Sequence, residues 1–184
     1  MRELSLHVLD IVQNSIAAGA GMVAVRIGED RPAQRMTIVV EDNGRGMTAE
    51  QIERVTNPFF TTRTTRRVGL GVPLFKMAAE MTGGSFWIES QLGRGTRVTA
   101  EFCTSHLDMI PLGDMDSTVL TLIGCNPQLD FIYEHRVNGR MLLLDTRQLK
   151  ETLDGVPLDT PEVMAWIGDY LKEQRQTILE EAKG

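Results

Sequence analysis

The sequence feature that most constrains the fold is the short run Met36–Val40, MTIVV. Its residues are apolar or β-branched, and it lacks the strict alternation with polar residues that a half-exposed strand has. The turn GEDRPAQ precedes the run, and Asp42–Asn43–Gly44 follows closely after it. We therefore predict a strand that is buried on both faces, and the rest of the chain must supply what covers it.

Helical and alternating apolar patterns follow one another around this strand. In the first helix, Leu4, Val8, Ile11 and Val12 lie at helical spacing, and Gly19 ends the run. The patterns predict helices over 3–18, 48–55 and 72–81, a loop over 57–69, and strands over 22–27, 36–40, 86–89 and 96–102. This order predicts an α+β fold in the form of a layered α/β sandwich.

The pattern changes past residue 104, so we predict two parts, 1–104 and 105–184. The second is predicted to be a β-hairpin with two helices, packed on the first part. Strands are predicted over 118–123, 131–137 and 141–144, with Asn138–Gly139 as the hairpin turn, and helices over 146–153 and 160–182. The last helix carries an apolar stripe that we interpret as a core seam, with a partner-binding surface as the alternative: Val163, Trp166, Ile167, Tyr170 and Leu171.

The overall composition argues against several functional classes. The net charge of −6 disfavours nucleic-acid binding, which needs a basic surface. No apolar run reaches the roughly 18 residues of a membrane helix, and the first residues do not resemble a signal peptide. Cys103 and Cys125 are too few for a disulfide scaffold. We therefore expect a cytoplasmic protein that binds neither nucleic acid nor membrane.

The first predicted helix carries two polar residues, Asp10 and Asn14, that share one face because they are four residues apart. An asparagine oxygen can complete a magnesium shell without adding charge beside phosphates. A carboxylate one turn earlier can hold and deprotonate an attacking water. The alternative is a solvent-facing polar pair on a surface helix.

Glycines and polar side chains follow the buried strand in the segment DNGRGM, residues 42–47. Gly44 and Gly46 allow a tight turn and a close approach of the backbone to a flat ligand. Asp42, at the strand end, can accept a hydrogen bond from an exocyclic amine such as that of adenine. The alternative is a plain turn between a strand and a helix.

Two later segments carry residues suited to phosphates. Gly69, Leu70 and Gly71 stand directly before a predicted helix, whose first N–H groups attract anions. The loop before them contains hydroxyl donors and cationic side chains, among them Thr61, Thr62 and Arg63. A final segment, GRGT at 93–96, enters a strand with Thr96, whose hydroxyl can contact a ligand held against the sheet.

Together and in this order, the segments resemble those of the GHKL ATPase superfamily, which includes gyrase, the heat-shock chaperone ATPase, histidine kinases and MutL. HVLDIVQNSIAAGA resembles its N box, DNGRGM its first glycine box, NPFFTT its F box, GLGV with the later GG its second glycine box, and GRGT its closing box. The resemblance covers about residues 3–103. It implies a Bergerat-type ATP-binding fold, in which a mixed sheet has helices on one face, with a small C-terminal α+β extension.

The resemblance also implies roles for residues. Asp10 would be the catalytic carboxylate, Asn14 would bind Mg²⁺, and Asp42 would bind the adenine amine of ATP. The remaining cofactor-binding positions would shape the pocket, contact phosphates or support the adenine: Gly44, Gly46, Met47, Thr61, Thr62, Arg63, Gly69, Leu70, Gly71 and Thr96. Asp10 stands where ATP-hydrolysing members carry Glu, which favours slow hydrolysis or transfer of phosphate to a partner. We interpret His7, one turn before Asp10, as an ordinary helix residue.

Two functions remain open at this stage. The first is a regulatory protein kinase that acts on a partner protein. The second is a nucleotide-gated switch that controls a partner without phosphorylating it. The whole chain also resembles small ATP-binding proteins encoded near hydrogenase subunits, which implies a redox enzyme complex as the partner, and a homodimer is a further expectation. Because only nine residues precede Asp10, we do not expect a complete sensor histidine kinase with its phosphoacceptor hairpin.

Overall fold

The computed structural model of the protein describes residues 3–60 and 70–183. Within these residues the helices are α1 (Leu4–Ala17), α2 (Ala49–Thr56), α3 (Gly71–Met81), α4 (Met115–Cys125), α5 (Thr146–Leu153) and α6 (Pro161–Glu181). The strands are β1 (Met22–Asp30), β2 (Arg35–Asp42), β3 (Ser85–Gln91), β4 (Gly95–Cys103), β5 (Asp130–Val137) and β6 (Arg140–Asp145). None of the helices in this part of the chain is long and apolar enough to cross a membrane.

The six strands form one mixed sheet in the order β3-β4-β2-β1-β5-β6. Strands β1 and β5 run parallel, and the other neighbouring strands run antiparallel. Apolar residues of α1, α3, α4 and α6 join the inward side chains of the strands in one core. The opposite face of the sheet carries partly exposed ion pairs, in which Glu41 contacts Arg26 and Arg97. The predicted α+β sandwich, with a mixed sheet and helices on one face, is confirmed.

The run that constrained the fold lies in β2, in the middle of the sheet. Ile38 and Val40 point into the helix-covered core and are buried, and Val39 is also buried although it points to the other face. Thr37, on the same face as Val39, is half-buried. The sequence therefore identified a central strand, and burial is complete only on the face that the helices cover.

The predicted strand over 118–123 is wrong, because these residues lie in α4. The run TVLTLI is rich in β-branched residues, and an apolar run of this length does not distinguish a strand from a buried helix. The helix is favoured by Asp114, whose side chain caps it by accepting a hydrogen bond from the Ser117 N–H. Its buried residues recur at helical spacing, which places Met115, Val119 and Leu122 in the core. The second half therefore has three helices in place of the two predicted.

The predicted hairpin between β5 and β6 is confirmed. Asn138 and Gly139 both have positive φ, 48° and 84°, as a two-residue turn of type I′ requires. Because β5 pairs with β1, the second half of the chain continues the sheet of the first half. The two halves also share one core, and the division at residue 104 stays a prediction.

The connector between β4 and α4 holds the start of α1. Glu3, the N-cap residue of α1, makes no side-chain cap to the helix. Instead, the N–H groups of Leu4 and Ser5 donate to the carbonyl oxygens of Pro111 and Leu112, at 3.0 and 2.8 Å. These bonds satisfy two N–H groups that a helix start leaves without partners. The second half of the chain is thereby attached to the helix that carries Asp10 and Asn14.

The apolar stripe of α6 divides into two sets. Ile167 and Leu171 are fully buried and form the predicted core seam. Trp166 is half-exposed and stacks on Tyr170, with 5.3 Å between the ring centroids. The Tyr170 hydroxyl donates to the Leu143 carbonyl at 2.8 Å, so this pair covers part of the free edge of β6.

Candidate functional site

A cavity of about 220 Å³ lies between α1 and the ends of β2, β3 and β4. Its walls are mostly apolar, and the largest apolar side chains are Ile11, Met47, Val55, Val72, Ile88 and Val98. A few polar residues also line it: Asn14, Ser15, Asp42, Arg45 and Thr96. A mostly apolar cavity with a few convergent polar groups is typical of a small-molecule site and suits a flat heterocycle.

Asp42 is the buried acid of this cavity and is only 8% exposed. One carboxylate oxygen accepts a hydrogen bond from the Ser15 hydroxyl at 2.6 Å, and the other accepts from the Gly44 N–H at 2.8 Å. Each oxygen has a further lone pair. The fixed carboxylate can therefore accept another hydrogen bond from a ligand in the cavity.

The turn after Asp42 is held from both sides. The Asn43 side-chain oxygen accepts hydrogen bonds from the N–H groups of Gly21 and Met22, at 2.8 and 2.9 Å. Arg45 donates its N–H to the Ala18 carbonyl and accepts from the Gly93 N–H. The segment DNGRGM is thus attached to the end of α1 and to the GRGT turn, which makes it a rigid wall of the cavity.

Two glycines of this wall have no space for a side chain. A Cβ on Gly46, where φ is +70°, would lie 2.0 Å from the Gln91 carbonyl oxygen. A Cβ on Gly95, where φ is +101°, would lie 1.9 Å from the Asp42 carbonyl oxygen. Both atoms belong to the backbone, so a substitution at either position must move one segment of the wall.

We expect Gly46→Ala to weaken nucleotide binding at least 10-fold and to lower the melting temperature, because the new Cβ displaces Gln91 and the cavity wall. Gly93→Ala is the matched control: Gly93 has a similar φ of +77°, and no atom of residues 3–60 and 70–183 lies within 4 Å of its Cβ position. Both variants carry the cost of about 1 kcal/mol for a side chain at positive φ. Equal nucleotide affinities of the two variants, measured by calorimetry, would contradict the close packing at Gly46.

Ser90 connects three parts of the site through its hydroxyl group. It accepts a hydrogen bond from the Met47 N–H at 2.8 Å, lies 2.9 Å from the Gly95 carbonyl oxygen and contacts the Thr96 hydroxyl at 2.8 Å. Thr96 is paired with Asp42 in the register of β2 and β4. The predicted residues Met47 and Thr96 are therefore held together at the same end of the sheet as Asp42.

Asn14 and Asp10 occupy different places on α1. Asn14 is exposed and lines the cavity. Asp10 is not among the lining residues; its Cβ and one carboxylate oxygen lie 2.9 and 3.5 Å from the position that a Cβ on Gly71 would take. Burial raises the pKa of the Asp10 carboxyl above its usual value. Asp10 therefore faces the start of α3, one turn away from the cavity.

Leu70, the N-cap residue of α3, is exposed and does not line the cavity. Gly71 is the first residue of α3. Four predicted residues, Thr61, Thr62, Arg63 and Gly69, lie outside the described residues. The described structure thus brings Asn14, Asp42, Gly46, Met47 and Thr96 together around one cavity, with Gly44 bonded to Asp42 beside it.

The family model described as "Histidine kinase-, DNA gyrase B-, and HSP90-like ATPase" matches residues 2–106, which is more than half of the chain. The chain belongs to this ATPase family. Membership in the family implies that the chain binds ATP.

Curated proteins to which the chain is similar include sensor proteins and kinases. A putative sensor protein of Shewanella frigidimarina is 29% identical over 58% of this chain and 17% of that protein. Sporulation kinase C of Bacillus subtilis is 31% identical over 48% of this chain and 20% of that protein. The sensor histidine kinase ZraS of Escherichia coli (strain K12) is 28% identical over 52% and 20%. The chain thus spans about a fifth of the length of these relatives.

The chain is also similar to a solved structure, the Aquifex aeolicus MutL ATPase domain complexed with ADP. The TM-score is 0.51 at 20% identity, and the match covers 84% of this chain and 70% of that chain. At this identity the likeness shows the fold alone. Its coverage extends past the residues that the family model matches, so the shared fold includes part of the second half.

Sequence reasoning missed two residues that organise the candidate site. Ser15 holds Asp42, and Ser90 holds Met47 and Thr96. The signal was present in both cases, because each serine occupies a position in an apolar face. Ser15 continues the buried stripe of Val8, Ile11 and Val12, and Ser90 continues the inward face of β3. A polar residue in such a stripe needs a buried partner.

Proposed function

We propose that this ATPase binds Mg²⁺–ATP in the cavity below Asp42 and acts as a regulatory protein kinase on a partner protein. The observation that carries the ATP site is the buried Asp42 carboxylate, which is fixed by Ser15 and Gly44 and open to one more donor. Adenine has an exocyclic amine beside a flat apolar ring. The carboxylate and the apolar walls around it are complementary to those two parts.

The other predicted positions are assigned to the rest of the nucleotide. Gly44, Gly46 and Met47 form one wall, and Thr96 supports the adenine beside Asp42. The N-terminus of α3, with Leu70 and Gly71, favours the negative charge of phosphates. Thr61, Thr62, Arg63 and Gly69 are assigned to the phosphates by the family resemblance.

Asn14 is the residue proposed to hold magnesium. Its exposed side chain has no hydrogen-bond partner among residues 3–60 and 70–183, and it lines the cavity. In the same described residues no group of three or more His, Cys, Asp or Glu forms a metal site. This arrangement fits magnesium that arrives with ATP, because such an ion takes several of its ligands from phosphate oxygens and water. The bound ion would offset phosphate charge during transfer.

Asp10 is proposed to accept the proton of the attacking hydroxyl group. In that step the acceptor oxygen forms a bond to the γ-phosphorus, the bond from the β–γ bridging oxygen to this phosphorus breaks, and ADP leaves with the electron pair. Burial raises the pKa of Asp10, and a raised pKa makes its carboxylate a stronger proton acceptor. When water replaces the acceptor hydroxyl, the same step is ATP hydrolysis.

The positions of the three histidines argue against a histidine of this chain as the phosphate acceptor. His7 and His135 are buried, at 2% and 3% exposure. His106 is exposed, but it lies in the connector, beside a different cleft that includes Arg31, Arg35 and Met109. The sequence contains three histidines in all, so none of them stands beside the candidate nucleotide cavity as an accessible acceptor.

The second candidate function is a nucleotide-gated switch that controls a partner, such as a redox enzyme complex, or a homodimer. The contact between the connector and the start of α1 favours it. Because α1 carries Asn14 near its other end, nucleotide binding there can bias the attachment of the second half. Lid or helix movements of this kind are a common way for nucleotides to change partner binding.

The test is to follow the γ-phosphate. The protein is incubated with γ-labelled ATP and Mg²⁺, alone and with native cell lysate. We expect a labelled lysate protein with the wild type, and no label with Asn14→Ala, which should bind Mg²⁺–ATP at least 10-fold more weakly while keeping its fold. Gln13→Ala, which changes the exposed neighbour on α1, is the control and should behave as the wild type.

Free phosphate without a labelled protein, lost in Asn14→Ala, would favour the switch over the kinase. Unchanged affinity for Mg²⁺–ATP in Asn14→Ala would contradict the assignment of the magnesium residue.

A further inference from the structure

His7 is a buried polar side chain that the proposed mechanism does not use. It lies on α1 with 2% exposure, and its ring stacks on Phe75 of α3, with 5.6 Å between the centroids. Among the residues that the structure describes, neither ring nitrogen has a hydrogen-bond partner. Burial lowers the pKa of His7 to about 4, so the ring is neutral near pH 7 and carries one N–H.

This environment is unfavourable for histidine. A buried N–H donor and a buried ring nitrogen acceptor both lose their hydrogen bonds to water and gain nothing in return. Phenylalanine or leucine would fill the same space beside Phe75 without that loss. Unsatisfied buried polar groups in a native protein call for a specific explanation, and here it is to be sought among the groups nearest to His7 on α1 and α3.

Within the described part of the chain, Asp10 also lacks a hydrogen-bond partner, but as an acceptor. Its carboxylate accepts no hydrogen bond within residues 3–60 and 70–183, and burial raises its pKa. Asp10 lies three residues after His7, at a spacing that makes side chains neighbours on a helix surface. Both face α3, since Asp10 contacts Gly71 while His7 contacts Phe75 one turn later. An unpaired donor and an unpaired acceptor thus stand one turn apart.

We propose that His7 is a positioning residue for Asp10, and that its ring N–H donates a hydrogen bond to the Asp10 carboxylate when ATP is bound. The inference rests on the proposed function. Phosphates at the N-terminus of α3 would act on the helix whose first two turns contact both side chains. The hydrogen bond would fix the carboxylate and leave its second oxygen for the proton of the attacking water or hydroxyl.

This pairing also explains how a shorter acid could serve. Asp is one methylene shorter than Glu, so its carboxylate reaches less far from α1. A histidine donor at its base restricts the carboxylate to one orientation, in the way that second partners orient catalytic groups elsewhere. His7 itself touches neither ATP nor the acceptor in this arrangement.

The first test is spectroscopic and does not depend on turnover. Protein with ¹⁵N-labelled histidine is compared with and without Mg²⁺ and the non-hydrolysable analogue AMP-PNP. We expect one ring N–H resonance, assigned by its loss in His7→Phe, to move downfield and become protected from exchange when the analogue binds. The change should be absent in Asp10→Ala. An unchanged His7 resonance in protein saturated with the analogue would overturn the proposal.

The second test separates binding from turnover. His7→Phe should keep the affinity for AMP-PNP within about twofold and lower the rate of γ-phosphate release or transfer about 10-fold, in the range of a lost orienting contact. His7→Gln, which retains an N–H donor, should recover part of that rate. Phe75→Leu removes the ring stack but no hydrogen-bond donor, and it should keep a nearly normal rate.

The failures of the two proposals are distinguishable. A wild-type protein that does not bind AMP-PNP would overturn the proposed function. A wild type that binds and turns over ATP, with His7→Phe at the same rate, would overturn only the role of His7. A lower rate of γ-phosphate release or transfer in both His7→Phe and Phe75→Leu would also overturn it. That result would mean that His7 contributes through its packing against Phe75 and not through a hydrogen bond.

Discussion

Replacing Asp42 with Asn is expected to weaken ADP and ATP binding about 10- to 100-fold, the loss that follows when a hydrogen bond to a charged group is removed. Asp42 uses one lone pair for Ser15 and one for the Gly44 N–H, and the proposed bond to adenine needs another. The amide of Asn replaces one acceptor oxygen with an NH₂ group. That group takes the place of the oxygen that accepts from the Gly44 N–H or of the oxygen that accepts from the Ser15 hydroxyl. In either orientation the side chain loses acceptor lone pairs that these two donors and the ligand amine need.

The matched control is Glu41→Gln. Glu41 directly precedes Asp42 in β2, and its side chain is on the opposite face of the sheet. There it pairs with Arg26 and Arg97 at about 40% side-chain exposure. The loss of these exposed pairs should cost little stability. Calorimetry should show near wild-type affinity for Glu41→Gln. Similar affinities for Asp42→Asn and the wild type would contradict the position of adenine in the cavity.

A chain that ends at residue 104 is expected not to fold, although it contains every motif of the ATPase. Its β1 would lose β5, and the paired residues Val23 and Val25 would lose Phe131 and Tyr133. The N–H groups at the start of α1 would lose the Pro111 and Leu112 carbonyls. Exposing these apolar core residues to water would cost more free energy than the fragment can lose. A domain of this size has a free energy of unfolding of only about 5–15 kcal/mol.

The fragment should show no cooperative thermal transition by circular dichroism, whereas the full chain should. A cooperative transition together with ADP binding by the fragment would contradict this prediction. In the full chain, Phe131→Ala should cost about 3–5 kcal/mol in the free energy of unfolding, because the side chain is buried against β1. Ile132→Ala, on the other face of the same strand, should cost about 1 kcal/mol.

Where local patterns decide the structure, the sequence was a reliable guide. The helix predicted to begin at Thr48 starts there with a capping box, in which Thr48 and Gln51 exchange two hydrogen bonds of 3.2 and 2.9 Å. Asn138–Gly139 forms the predicted hairpin turn because few other residues adopt two successive positive φ angles. In both cases the interacting residues are close in sequence, so their identities alone carry the information.

Where tertiary packing decides the secondary structure or the burial of a residue, the sequence patterns were a weaker guide. The run 118–123 has β-branched residues, yet it forms a helix because its apolar face packs with α1 and α6. On α6, Trp166 and Ile167 are neighbours in sequence, and the packing of this helix against α4 and β6 decides that one is half-exposed and the other buried. Neither outcome depends on an intrinsic preference of the residues concerned.

In the candidate site, too, residues in one contiguous motif were predicted and their distant partners were not. Asp42 and the glycines were predicted because DNGRGM is contiguous. The partners that fix them are distant: Ser15 precedes Asp42 by 27 residues, and Ser90 follows Met47 by 43. A contact over such a separation is set by the sheet register and by the packing of α1, which no short motif records. The partnerless state of His7 likewise appears only when its surroundings are known.

The measurement that tests the central claim most directly compares ADP with inosine diphosphate by calorimetry on the wild-type protein in the presence of Mg²⁺. The two ligands differ only in the purine: the exocyclic amine of adenine is replaced by a carbonyl oxygen, with a proton added on the ring. If Asp42 accepts a hydrogen bond from that amine, ADP should bind at least 10-fold more tightly, because the carbonyl would face a carboxylate with no proton between them. Equal affinities for ADP and inosine diphosphate would contradict an adenine site at Asp42.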